Sequence, residues 1–521
     1  MSGGHSCSGC GCSYQVGRRG FLRAAGAAAG AAAAWSSTLL DDLLCFAAES
    51  APAPAPAEPA PVVDVLFVWP KAAAKGMMNW VYGTDSARYQ QKAFIEVLEK
   101  AGTEIRVEVR PRMEPVSTPE DVSLTLEGLK KAPPAGLIIC CHLLTGAWDR
   151  ARQLVEGRGE IPTVVFGHGT NNQRMGPPIR YRAPKTYVCT APSVEWLGPM
   201  LRLAAAPWRL QHARLLQVVP GRNPAGEERR HPQGPIFVQL PEYNELFQKY
   251  ESTDDVQKLA DFYEKTARKV VEPQRAAILN AVKHYLLIRT LVRERNCQGV
   301  LVGGSICTHL GKTGPACVAI SRLNDEGLVG TCEGHWRYAP DFAVGDLVSH
   351  LIAGRPMCMG NVSPQTVTNT LVISHCYSPT KLRGPEDEYR AAYQLRDAHG
   401  APHCVIQVFW PVGEKVTMLT FTPKEYFVGS GRVASNIEQP PAFMCRTAVE
   451  LAVDGLDWDT TTYRVDDDTK FTSAYMLGDF REHFDAFGQL TGLKIGPIVQ
   501  PRPADKWEAG NGLRGAAART C

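Results

Sequence analysis

The sequence predicts an α/β protein, with two parallel-sheet α/β units followed by a β-rich C-terminal unit of barrel or sandwich type. Three observations lead there. From residue 62 to about 350, apolar β-branched runs alternate with helical patterns, and such alternation builds a parallel sheet covered on both faces. After about 351, strand patterns follow one another with turn residues between them and little helix. The length of 521 residues suits about three domains of roughly 100–200 residues each.

The first 61 residues stand apart from this pattern. "GRRGFLRAAGAAAGAAAAW" (17–35) pairs Arg18 with Arg19, then Phe21 and Leu22, then a mildly apolar alanine stretch. That order resembles a twin-arginine export signal, with small residues near Phe46-Ala47-Ala48 offering a cleavage zone. The expected location is therefore periplasmic or otherwise extracytoplasmic. This route carries folded proteins, often with a cofactor already loaded, which raises the expectation of a bound metal. "CSGCGC" places Cys7, Cys10 and Cys12 upstream. With no second cysteine pair nearby, it reads as leader rather than as a metal site. "APAPAPAEPAP" (51–61) reads as a stiff, extended linker.

The first α/β unit is expected over 62–175. "VVDVLFVWP" (62–70) reads as a buried strand. A helix follows over 89–101, with Gly102 as its C-cap, then a strand at 104–109 and a helix over 119–131. "AGLIICC" (135–141), a helix near 148–155 and "PTVVFG" (162–167) complete the unit. The adjacent Cys140 and Cys141 belong to its core.

The second unit is expected over 176–350. Its strands are 213–221, 298–304 and "PACVAIS" (315–321). A helical region runs over 253–296 and breaks at Pro273. Ile278, Val282, Tyr285, Ile288 and Val292 form its apolar stripe, and His284 beside the stripe reads as a surface or boundary histidine. The third unit, 351–500, carries strands at 369–374, 404–410 and 415–421 and a helix over 479–490, ahead of a flexible tail at 501–521.

Composition narrows the function. The chain is 44% hydrophobic and 21% charged, with a formal net charge of +3. That balance offers no nucleic-acid stripe and no polybasic membrane patch. No run approaches the roughly 20 apolar residues of a membrane span. The 16 cysteines are not spaced like a small disulfide scaffold. "LGKTG" (310–314) fails as a phosphate loop, because Ile306 stands where the first glycine belongs. "GSG" (429–431) is a turn, and there is neither a G-x-S-x-G elbow nor an H-E-x-x-H helix. Cys307 and Cys317 lack a charged neighbour in sequence and read as structural.

Three stretches remain. "CVAISRLNDEGLVGTCEGHW" (317–336) leads to Glu333 and His335. "LIAGRPMCMGNV" (351–362) carries Asn361, after a helix whose Val344, Leu347, Val348 and Leu351 share a face. "LVISHCYSP" (371–379) ends an apolar strand on His375 and Cys376. Side chains at strand ends can converge on a pocket, and a carboxylate with imidazoles suits a divalent metal.

Together with "GEKVTML" and "GDFREHFDAFGQLTGLKI", these stretches resemble the L-fucose isomerase and L-arabinose isomerase superfamily, especially its short fucose-isomerase-like proteins. The resemblance covers about 317–495. It implies two α/β domains, a C-terminal β-barrel-like domain, a homo-oligomer and a sugar substrate. The implied chemistry is a Mn²⁺-dependent aldose–ketose isomerisation, an intramolecular oxidoreduction. There a dication stabilises the enediolate charge and carboxylates serve as ligands and bases.

The family's metal set is Glu, Asp and His. Carried onto this chain, the Glu falls on Glu333, the Asp on Asn361 and the His near Thr472. His375 resembles a histidine of the arabinose isomerases, and His335 stands where the family has Asp. Asn361 and Thr472 are neutral, so a hard dication loses affinity and Asn361 cannot act as a base. Two readings follow for a catalytic pair of Glu333 and Asn361. Either Glu333, His335 and His375 form a rebuilt metal site, with Cys332 or Cys376 near it and a preference shifted towards Zn²⁺. Or the chain is a metal-free, non-catalytic carbohydrate-binding protein on the same fold. Cys332 and Cys376 are expected to be structural.

Overall fold

The apolar run at the start of the fold forms β1 (Val62–Val68), and its alternate side chains serve two different cores. Val63, Val65 and Phe67 pack into a cluster with Leu98 and Leu201, while Leu66 and Val68 pack with Val122 and Leu154. A strand buried on both faces needs no polar alternation, which is why this one reads as a continuous apolar run. The computed structural model describes residues 60–69, 84–141, 147–168, 180–219, 235–250, 253–303, 313–332, 339–422, 424–465 and 472–502. They belong to one compact unit, Glu58–Cys521.

In the first sheet β1 is joined by β2 (Glu108–Pro111), β3 (Gly136–Cys141), β4 (Thr163–His168) and β5 (Thr186–Ala191), in the order β2-β1-β3-β4-β5 and all parallel. Its helices are α1 (Thr84–Ile105), α2 (Pro119–Lys131), α3 (Ala147–Gly157) and α4 (Leu197–His212). Thr118 caps α2 through a capping box with Asp121, and Pro119 opens the helix. The second sheet comprises β6 (Leu215–Val219), β7 (Ile236–Gln239), β8 (Gly299–Val302) and β9 (Val329–Thr331), also all parallel, in the order β7-β6-β8-β9. Its helices are α5 (Leu240–Lys249), α6 (Asp254–Thr266), α7 (Arg275–Glu294), α8 (Cys317–Asp325) and α9 (Ala339–Ala353).

The C-terminal strands form a closed six-stranded antiparallel barrel. β10 (Cys358–Gln365), β11 (Thr370–His375), β14 (Lys415–Phe421), β15 (Glu425–Asn436), β16 (Thr447–Val453) and β18 (Thr472–Leu477) run in the order β14-β18-β10-β11-β16-β15, and a β14–β15 pairing closes the ring. β15 is long enough to serve both neighbours. Tyr426–Arg432 pairs with β14, and Gly431–Asn436 pairs with β16 across a register shift near Val433. Beside the barrel lie the hairpin β12 (Tyr393–Ala398) and β13 (Ala401–Val408), a small pair formed by β17 (Thr461–Tyr463) and β20 (Val499–Pro501), α10 (Arg481–Thr491), and β19 (Lys494–Pro497), which pairs in parallel with β15.

The structure corrects four local expectations. The run at 315–321 is not a strand: Cys317–Asp325 is helical, and most of its side chains are buried. A short apolar run buried all round carries no period that separates helix from strand. Gly102 does not cap α1, which continues to Ile105. A β-carbon at Gly102 would meet the Val107 carbonyl oxygen at 2.7 Å and the Val109 side chain at 2.8 Å, so this glycine permits close packing. Because the helix runs on, the strand expected at 104–109 begins only at Glu108. His284 is not at the surface. It is fully buried, with Nδ1 2.7 Å from the Tyr243 hydroxyl.

Candidate functional site

Asn361 lies on β10, between β18 and β11. It pairs directly with Thr472 of β18 and with Ser374 of β11. Residues directly opposite in antiparallel strands point to the same side of the sheet. Ser374, Asn361 and Thr472 therefore form one row across three strands, with Asn361 exposed and its two neighbours buried. All three side chains are polar and uncharged. His375 is the next residue after Ser374, so the two-residue period of the strand turns it to the opposite face. Its Nδ1 accepts a 2.9 Å hydrogen bond from the Cys376 backbone N–H, and its ring meets Tyr377 edge-on. Glu333 and His335 lie outside the described residues. Cys332, just before them at the end of β9, is buried.

A second group lies beside His375. Cys376 follows the end of β11, His399 occupies the turn of the β12–β13 hairpin, and Cys445 precedes β16. The Cys376 sulfur is 3.1 Å from His399 Nε2, and the Cys445 sulfur is 3.6 Å from the same nitrogen. All three potential ligand atoms lie within 4.8 Å of one another, and the group can hold a metal ion.

Each member is fixed by local structure. The hairpin closes from Ala398 to Ala401 through two residues, His399 (φ 54°) and Gly400 (φ 81°). Positive φ at both positions is the signature of a type I′ turn, which matches the twist of the flanking strands. His399 Nδ1 faces the Phe443 carbonyl oxygen at 3.3 Å. A carbonyl only accepts, so Nδ1 carries the hydrogen and Nε2 is turned towards the sulfurs. Arg446 ties the turn to the Cys445 segment: its guanidinium donates to the Asp397 carbonyl and to the carbonyls of Pro440 and Pro441, and it pairs with the Asp397 carboxylate.

The electrostatics agree with the geometry. The Cys376 thiol is held well below its ordinary range, first by its hydrogen bond with Cys445 and then by the bond and charge of His399; burial opposes both. The hydrogen bond with Cys376 in turn raises His399 to about 9, against the effect of burial. Most other buried thiols move the opposite way: burial pushes Cys358 up to about 12, as it does Cys297. Cys376, expected to be structural, thus differs from the cysteines of the core. Nothing in the sequence spacing pointed to this group. Its members come from a strand end, a hairpin turn and a loop, separated by 23 and 46 residues.

No family model matches the chain, and no curated protein matches it. Among solved structures, a sugar ABC transporter (sugar-binding protein) from Bacillus halodurans is similar over 58% of this chain and 89% of its own, at 13% identity and a TM-score of 0.15. A TM-score that low carries no argument about fold or function.

Proposed function

We propose that the chain is an exported carbohydrate-binding protein built on a fucose/arabinose-isomerase-type scaffold, with the inherited dication site neutralised. One observation supports this above the rest. Asn361, where the resemblance expects Asp, and Thr472, near which it expects His, lie 111 residues apart in sequence yet are direct cross-strand partners. A resemblance aligned wrongly has no reason to bring them together. Both are neutral, and neither can replace the charge of a carboxylate and the lone pair of an imidazole on a hard cation. Neutral amides and hydroxyls do suit the hydrogen-bonding of sugar hydroxyls. His375, on the other face of its strand, does not extend this row.

The same reading carries a homo-oligomer and a twin-arginine leader at Arg18-Arg19. It is tested with a panel of aldoses and ketoses, including the fucose and arabinose series. Binding is followed by calorimetry, and any isomerisation by NMR with and without added Mn²⁺. The expected result is binding of at least one sugar with no isomerised product. Metal-dependent isomerisation would replace this proposal with the enzymatic one, and no binding across the panel would remove both.

A further inference from the structure

We propose that Cys376, His399 and Cys445 form a Zn²⁺ site with two thiolate ligands, one imidazole ligand and a fourth position open to solvent. The site shares no residue with the row at Asn361 and does not depend on the sugar-binding reading.

The donor set excludes hard cations. Two sulfurs and one imidazole nitrogen suit Zn²⁺, whereas Mn²⁺, Mg²⁺ and Ca²⁺ prefer oxygen. The spacing also fits. With Zn–S near 2.3 Å and Zn–N near 2.0–2.1 Å, tetrahedral geometry puts sulfur and nitrogen ligands about 3.5 Å apart. The two sulfur-to-nitrogen distances, 3.1 and 3.6 Å, bracket that value. At Cys376 the sulfur-to-nitrogen distance opens by a few tenths of an ångström to reach the tetrahedral value.

The surrounding groups prepare the ligands. The Phe443 carbonyl fixes the tautomer that offers Nε2, the arrangement commonly seen behind metal-bound histidines. Arg446 is only 3% exposed and locks the Cys445 segment against the hairpin turn. It lies next to a ligand in sequence without supplying one. Both sulfurs coordinate as thiolates and His399 as the neutral imidazole, so binding the ion displaces the protons these three groups carry.

The fourth position follows from exposure. Cys376 is buried, Cys445 half-buried and His399 exposed, and Phe443 beside the site is 84% exposed. No fourth His, Cys, Asp or Glu joins the group among the described residues. Three protein ligands with a solvent-facing vacancy is the arrangement of catalytic rather than structural zinc, and water takes the open position.

The test uses the full chain, reduced, loaded with Zn²⁺ and dialysed. Metal content is measured by mass spectrometry, and Co²⁺ replaces Zn²⁺ for absorption spectra. The expected result is one tightly held zinc per chain. It is retained when Cys7, Cys10 and Cys12 are all changed to Ser, and lost in Cys376→Ser and in Cys445→Ser. The cobalt form of the unaltered chain should show thiolate-to-metal charge transfer and the intense visible bands of a tetrahedral site. If a cysteine variant fails to fold, His399→Asn decides, because Asn is well suited to the left-handed turn position. Loss of that ligand should weaken binding by more than about a hundredfold, since even indirect supports contribute about 10–100-fold. No zinc in the unaltered chain, zinc retained in Cys376→Ser or Cys445→Ser, or a Cys376–Cys445 disulfide in the zinc-saturated protein would overturn the proposal.

Discussion

His350 is enclosed by its neighbours and His399 sits exposed in a hairpin turn, and their surroundings move them in opposite directions. His399 gains a sulfur partner and is raised to about 9. His350 on α9 loses water and is held down to about 4 by burial. Its Nε2 lies 3.3 Å from the Asn324 side-chain oxygen and 3.7 Å from Asp346. An unfolded histidine titrates near 6.5, so between about 6.5 and 4 the unfolded chain binds more protons than the native one. The contribution of His350 is therefore complete above about pH 6.5 and is lost as pH falls towards 4, by an amount of order 3 kcal/mol. Asp346 acts the other way, because burial raises its carboxyl and favours proton uptake in the native state. Comparing His350→Gln with the unaltered chain isolates the histidine. Urea midpoints should fall less in the variant between pH 6.5 and 4.5, and an equal fall in both would remove His350 as the cause. None of this was legible from the sequence, where His350 and His284 are both histidines on helices. Burial depends on which elements pack over a side chain, and a single helix does not record that.

At the scale of elements, the sequence carried the parts whose periods are unambiguous. Pro119–Lys131 has its capping residue, proline and lysines at the expected ends, and Lys415–Phe421 is bounded by turns; both form as read. The break at Pro273 falls between α6 and α7. The misreadings occur where packing overrides pattern. Cys317–Asp325 is buried around its whole circumference, so its helical period is invisible, and Gly102 serves close contact rather than a cap. The junction between α9 and the barrel rests on Phe342 and Phe421. Both are essentially fully buried and meet edge-to-face at 5.3 Å between ring centroids. Phe421→Ala should lower the unfolding free energy by about 3–5 kcal/mol, read from a denaturant titration with an unchanged slope. A loss below about 1 kcal/mol would show that the barrel tolerates separation from that helix.

Across the whole molecule, the change from alternating strands and helices to consecutive strands was legible because it extends over hundreds of residues. The closed barrel realises it, with β14 and β15 completing the ring. The two candidate sites differ in how far the sequence could announce them. Asn361 and Thr472 were reachable through a resemblance that fixes their order along the chain. Cys376, His399 and Cys445 share no motif, because the pairing of β11 with β16 and one hairpin turn assemble them. The central claim is that Asn361 and Thr472 mark a dication site that has lost its charge. Restoring the charge tests it most directly. Mn²⁺ affinity is measured by electron paramagnetic resonance for the unaltered chain, for Asn361→Asp with Thr472→His, and for that pair with Glu333→Gln. The account predicts no tight Mn²⁺ in the unaltered chain, a gain of about tenfold or more in the double variant, and loss of that gain when Glu333 is removed. A folded double variant that binds Mn²⁺ no better than the unaltered chain would contradict it.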